Sequence, residues 1–174
     1  MIDVIIDPKK PSHMDAVTEA CPFCKRKNQE MAFLESDNFL ALYNIAPILR
    51  GHSLVVPKRH AVSLMDLNET ESAELVAFSR KVTLLLQFAF KSDGFDWSLQ
   101  DGINAGQTVS HFHLHIVIRS KMDLGGQDWF QLIQENNKTL LDSSSRPRLS
   151  DDEYLFYTEY IKDQYKKMNQ ISED

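Results

Sequence analysis

Three of the six histidines stand at His111, His113 and His115, each separated from the next by one apolar residue, in the run Ser110-His111-Phe112-His113-Leu114-His115-Ile116-Val117-Ile118-Arg119. Imidazole has two uses near neutral pH: it ligates transition metals, or it moves protons and attacks electrophiles. Successive side chains of a β-strand point to opposite faces. The spacing therefore predicts a strand with three histidines on one face and Phe112, Leu114 and Ile116 against a core on the other. A merely solvated face needs no histidine, since Thr, Lys or Glu would serve. Alternate residues of one strand lie about 7 Å apart, so a single ion takes at most one or two of the three.

The preceding stretch, Gln100-Asp101-Gly102-Ile103-Asn104-Ala105-Gly106-Gln107-Thr108-Val109, has the glycines and amides of a tight loop. Gly102 and Gly106 permit close backbone approach, and Gln100, Asn104, Gln107 and Thr108 are uncharged donors. Alone, such a loop is a strand connection. Beside aligned histidines it reads as a cradle for an anion.

The alternating histidine run resembles the signature of the histidine triad superfamily. The run Gln-Asp-Gly-x-x-Ala-Gly-Gln-Thr-Val before it is similar to the fragile histidine triad branch, whose members hydrolyse dinucleoside polyphosphates. The likeness extends from about Phe39 to Arg119 and includes Phe39-Leu40-Ala41-Leu42-Tyr43-Asn44 and Gly51-His52-Ser53-Leu54-Val55-Val56-Pro57. It implies an α+β fold of the HIT type, a mainly antiparallel sheet of about five strands with one long helix and a C-terminal helix, and a homodimer.

The same resemblance implies cleavage of a diadenosine tri- or tetraphosphate through a covalent nucleotidyl-histidine, with the middle histidine, His113, as nucleophile. A neutral imidazole suits attack on an anhydride whose oxygens repel anions. His115 is then placed to donate a proton or hydrogen bond, and Gln107 and Thr108 to hold phosphate oxygens. By resemblance Asn44 holds the ribose, Gln100 lies near the scissile phosphate and His52 adjoins the nucleotide pocket, with Leu42 near the base. A Hint-like nucleoside phosphoramidate hydrolase is the alternative, and a nucleotide-binding sensor with slow turnover is a reading of another class. A divalent cation accompanying the polyphosphate stays open.

Cys21-Pro22-Phe23-Cys24 holds both cysteines of the chain. A Cys-x-x-Cys is a metal half-site, a redox pair or a pair of buried thiols, and the βαβ pattern of a redox site is missing. Zinc needs two further ligands, which His60, His52 or the triad could supply. Some histidine triad and galactose-phosphate uridylyltransferase relatives resemble this arrangement, which selects His60 and His111 beside Cys21 and Cys24. The fragile histidine branch usually lacks the cysteines. His111 is then either a metal ligand or a phosphate donor.

These residues need positioning elements. The polar turn Ser36-Asp37-Asn38 between Met31 to Glu35 and Phe39 to Tyr43 reads as a hairpin, and Ser53 to Val56 as a short strand closed by Pro57. Asn68 and Glu71 form a capping box ahead of Leu75, Phe78, Val82, Leu85 and Ala89 at helical spacing. The end of that helix, Leu84 to Phe90, is apolar around most of its circumference, so a second subunit or a C-terminal segment must cover it. Phe95 to Gln100 is a strand beside the histidine strand. A short helix is expected from Asp128 to Ile133, and Ser150 to Glu153 is a second capping box opening a helix to about Lys167.

Residues 1–20, with Pro8 and Pro11, read as an irregular arm, 21–120 as the domain core and 121–174 as a C-terminal extension. A chain of 174 residues with a net charge of −6 suits one ordinary domain and argues against a nucleic-acid surface. No apolar run approaches membrane-spanning length, and the start lacks a basic, apolar leader, so a cytoplasmic protein is expected.

Overall fold

Short apolar strands pair into one antiparallel sheet of five, in the order β1-β2-β3-β5-β4: β1 (Leu34–Glu35), β2 (Phe39–Tyr43), β3 (Ser53–Pro57), β4 (Gly94–Ser98) and β5 (Leu114–Arg119). The computed structural model describes residues 21–121, 123 and 146–171. The arm over residues 1–20 and the helix expected from Asp128 to Ile133 lie outside these. The predicted hairpin forms, but β1 is only two residues long.

The three central strands β2, β3 and β5 are buried on both faces except at Arg119, so they read as continuous apolar runs. One face carries Phe39, Ala41, Tyr43, Val55, Leu114 and Ile116 into the main core, together with Phe112 just ahead of β5. The other carries Leu40, Leu42, Leu54 and Val56 against Phe23 and Ala32. The chain around Cys21 to Cys24 and a one-turn helix, α1 (Arg26–Gln29), lie on that second side.

The long helix α2 (Glu69–Phe90) starts as its capping box predicts: Asn68 Oδ1 accepts from the Glu71 amide, and Glu71 Oε2 accepts from the Asn68 amide, each at 2.9 Å. Leu75, Phe78, Val82, Leu85 and Ala89 are all buried. The C-terminal helix α3 (Asp151–Ile171) begins at the Ser150/Glu153 box and runs four residues past Lys167. Its apolar positions Tyr154, Tyr157, Ile161, Tyr165 and Met168 recur every three or four residues and pack on the main core.

Tyr160 donates to the Ala89 carbonyl at 2.6 Å, and Tyr157 stacks on Tyr43 with ring centroids 4.7 Å apart. The C-terminal helix therefore covers part of the apolar end of α2. Leu84 remains 59% exposed and Phe88 39%, so another stripe of α2 is open.

Gly51 turns the chain into β3 with φ at +90°, and a Cβ there would meet Ile118 Cδ1 at 2.5 Å. Only glycine fits both restrictions. Its amide donates to the Tyr43 hydroxyl at 2.9 Å, fixing the approach of His52 to the sheet.

Candidate functional site

Strand register puts the chemistry beside an apolar wall. Leu42 pairs with Leu54, Leu54 with His115, and His115 with Ser98, so one cross-strand row places two leucines next to the last triad histidine. Leu42, Leu54 and His115 of that row, with His113, Phe23, Asn44 and Ile45, line a cavity of about 370 Å³. Gln100, Gly106, Thr108 and Val109 of the glycine loop border it as well.

The triad histidines alternate as expected, although regular pairing starts only at Leu114, so His111 and His113 belong to an extended approach to β5. His113 Nδ1 lies 2.8 Å from the His111 carbonyl oxygen. A carbonyl only accepts, so the Nδ1 proton is fixed there. Burial holds the His113 pKa below the ordinary histidine value, so the ring is neutral and Nε2 carries a free lone pair. Sequence alone supplied no tautomer; this backbone acceptor does.

A second chain of hydrogen bonds sets His115. The Ile48 amide donates to His52 Nδ1 at 3.1 Å, so neutral His52 carries its proton on Nε2. That atom is 2.9 Å from His115 Nδ1 and donates to it. His115 must then bear its own proton on Nε2, which makes it a donor. Burial, then the neighbouring His113 and Arg146, lowers His115 to about 3, and burial with His115 beside it lowers His52 well below the usual histidine value. Asn44 stands by this pair: its side-chain oxygen accepts from the Ala46 amide at 2.9 Å, and its Nδ2 is 3.3 Å from His52 Nε2.

On the other side of His113, Cys21, Cys24, His60 and His111 bring four ligand atoms within 4.8 Å of one another. Cys21 Sγ is 3.3 Å from His111 Nδ1, and Cys24 Sγ is 3.3 Å from His60 Nδ1 and 3.5 Å from His111 Nδ1. Tetrahedral zinc with sulfur and nitrogen ligands has edges of about 3.3 to 3.8 Å; the three contacts above match them, and the widest pair would close by up to about 1 Å around an ion. The outer contacts fit as well: His111 Nε2 donates to the Pro57 carbonyl at 3.0 Å, which leaves Nδ1 unprotonated toward the sulfurs. Burial, with Cys21 adjacent, pushes the Cys24 thiol up to about 12. A dication among the four atoms favours the thiolates instead. These four are the residues selected from the sequence, and His111 faces the cysteines, away from the cavity wall.

Two other expected contacts sit elsewhere. Gln107 does not reach the cavity wall: its Oε1 accepts from the Gly102 amide and its Nε2 donates to the Val62 carbonyl, each at 2.8 Å. A glutamine in a tight loop satisfies the nearest backbone first. His52 is fully buried behind His115 and acts on it, with no exposure to the cavity. Leu42, Asn44, Gln100 and Thr108 do line the wall.

Sequence reading missed Phe23 and the residues of α3 on the wall. Phe23 packs against both His111 and His113, with centroids 5.4 and 5.5 Å away, so the Cys-x-x-Cys turn itself forms cavity wall. Arg148, Tyr154 and Leu155 come from beyond the triad. The tyrosine-rich stripe of α3 is the signal that this helix docks on the core.

Residues 25–122 match the HIT domain family. The chain is 38% identical over 100 residues to a bis(5'-adenosyl)-triphosphatase of Dictyostelium discoideum, covering 58% of this chain and 67% of that protein. It is 39% identical over 98 residues to an asymmetrical bis(5'-nucleosyl)-tetraphosphatase of Schizosaccharomyces pombe, covering 56% and 54%. The chain thus spans about half to two thirds of these relatives. A Zn-bound histidine triad family protein from Mycobacterium smegmatis superposes with a TM-score of 0.59 at 26% identity, covering 88% of this chain and 99% of that one. Among the described residues, no helix is long and apolar enough to cross a membrane.

Proposed function

The chain belongs to the HIT domain family, and from that premise we propose that it hydrolyses dinucleoside polyphosphates, such as diadenosine tri- or tetraphosphate, through a nucleotidyl intermediate on His113. One observation carries the reading: His113 donates from Nδ1 to the His111 carbonyl, which leaves an unprotonated Nε2 on a residue that lines the cavity. The names of the two relatives support the substrate class.

In the first step His113 Nε2 attacks a phosphorus, a P–N bond forms, and the bridging P–O bond breaks with its electron pair leaving on the departing nucleotide. His115, with its proton on Nε2, donates to an oxygen that gains charge as the bond breaks. Thr108 and Gln100 border the same space and suit the phosphate oxygens. Water then attacks the phosphorus, the P–N bond breaks, and a nucleoside monophosphate leaves while His113 recovers its lone pair.

Cys21, Cys24, His60 and His111 would hold structural zinc, which fixes the turn bearing Phe23 and the carbonyl that orients His113. The chain is read as a core over 21–120 with an extension beyond it. It is also read as a homodimer, supported by the edge position of β4, by Phe95 on it, 49% exposed, and by the open Leu84 and Phe88 of α2. A cytoplasmic location is part of the same reading.

The test compares wild type with His113→Ala on diadenosine triphosphate, diadenosine tetraphosphate and an adenosine phosphoramidate, with products separated by chromatography. Cleavage of a dinucleotide by wild type, reduced at least about 10³-fold in the variant, is expected for loss of a covalent nucleophile. Preference for the phosphoramidate moves the protein to the Hint-like reaction. Equal activity in the variant sinks the mechanism.

A further inference from the structure

The HIT domain match ends at residue 122, yet the cavity wall continues on residues 148–155. Two hydrogen bonds tie this segment to the end of β2. Arg146 Nε donates to the Ala46 carbonyl at 2.7 Å, and the Leu149 amide donates to the Ile45 carbonyl at 2.8 Å. Asn44, whose oxygen holds the Ala46 amide, and Ile45 both line the cavity. The first turn of α3 thereby borders the cavity, and Tyr154 enters the lining.

Two other tyrosines of this core spend their hydroxyls on the fold. Tyr43 accepts from the Gly51 amide and Tyr160 donates to the Ala89 carbonyl. The half-buried Tyr154 side chain has no hydrogen-bond partner among the described residues. A tyrosine in a cavity wall whose hydroxyl is not spent on the fold and keeps contact with solvent offers a ligand both a donor and an acceptor. Burial pushes its pKa up to about 12, so the hydroxyl stays protonated.

We propose that Tyr154 is a substrate-binding residue of this site, its hydroxyl hydrogen-bonding the nucleoside half of the nucleotide. The proposal rests on the nucleotide reading given above. The phosphate half belongs near His113, His115 and Thr108. Tyr154 instead comes with the segment tied to Ile45 and Ala46, and Asp151 and Asp152 of the same turn also line the cavity. Leu42, Asn44, Ile45 and Leu54 line the same cavity, an apolar wall with one amide that suits an uncharged sugar or base better than a polyanion.

Tyr154→Phe tests this because the ring and its packing remain and no hydrogen bond among the described residues is lost. The melting temperature is expected to stay at or slightly above the wild-type value. Affinity for adenosine monophosphate, by titration calorimetry, should fall about three- to ten-fold, the usual worth of one neutral hydrogen bond. KM for the dinucleotide should rise by the same factor with kcat unchanged, the mark of binding lost equally in ground and transition states. Inhibition by inorganic phosphate should not change. Equal adenosine monophosphate affinity in wild type and variant overturns the proposal, as does an equal loss of phosphate affinity. Wild type that fails to bind adenosine monophosphate at all overturns the nucleotide reading itself.

Discussion

Replacing His115 by Asn should change how the protein responds to acid by an amount that the structure fixes. The amide oxygen of Asn lies near the position of the ring Nδ1 and can still accept from His52 Nε2, but Asn takes up no proton. In the wild-type fold His115 sits at about 3, with burial as the main cause. In the unfolded chain it titrates near ~6.5. A depressed folded pKa means that the unfolded state binds the proton first, so this contribution to stability is fully present above pH 6.5 and is lost as pH falls toward 3. Between pH 7 and pH 5 the loss is set almost wholly by the unfolded histidine, and amounts to about 2 kcal/mol.

Urea unfolding followed by tryptophan fluorescence, at pH 7 and at pH 5, measures this as a difference of differences. His111, His113 and His52 are also held below the ordinary value and contribute in both proteins, so they largely cancel. Any constant destabilisation by the substitution cancels too, because the comparison counts protons taken up on unfolding. Wild type should lose about 2 kcal/mol more than His115→Asn over this interval. Equal losses would mean that folded His115 accepts a proton as readily as the unfolded chain does. The burial that keeps His115 neutral in acid would then fall.

Metal analysis of the purified protein should find about one zinc per chain in wild type and less than about a tenth of that in Cys24→Ser, because removing one of four ligands opens the site. Equal metal content in the two would remove these residues from the ligand set. Leu84→Glu should convert a dimer into a folded monomer by sedimentation velocity, since Leu84 is 59% exposed on the single chain and leaves its core untouched. A wild type that sediments as a single chain would refute the dimer directly.

Most of the fold was legible because its signals are local and periodic. The two capping boxes start α2 and α3, and the period-two run puts Phe112, Leu114 and Ile116 into the core. The grouping of Cys21, Cys24, His60 and His111 followed from residue types plus a family likeness. What stayed hidden depends on long-range register or on competition for hydrogen bonds. Gln107 has the right type for an anion cradle, but Gly102 and Val62 occupy its amide. His52 lies beside the pocket in sequence terms, but the turn at Gly51 carries it behind His115, where it fixes a tautomer. The stripe of α3 announces that the helix must dock, but not that its first turn meets the end of β2.

His111 explains why a cysteine pair and a histidine run can act as one unit. Its ring faces Cys21 and Cys24, while its carbonyl accepts the Nδ1 proton of His113. Phe23, held between the two cysteines, packs on His113 from the cavity side. Displacing the His111 ring therefore moves the acceptor that sets the His113 tautomer, and displacing either cysteine moves a wall of the cavity. The four-residue cluster constrains His113 from two directions while none of its members enters the cavity wall. In such an arrangement a ligand variant loses kcat through the orientation of His113 even where the fold survives, because a buried, neutral imidazole attacks only through the nitrogen its backbone partner leaves unprotonated.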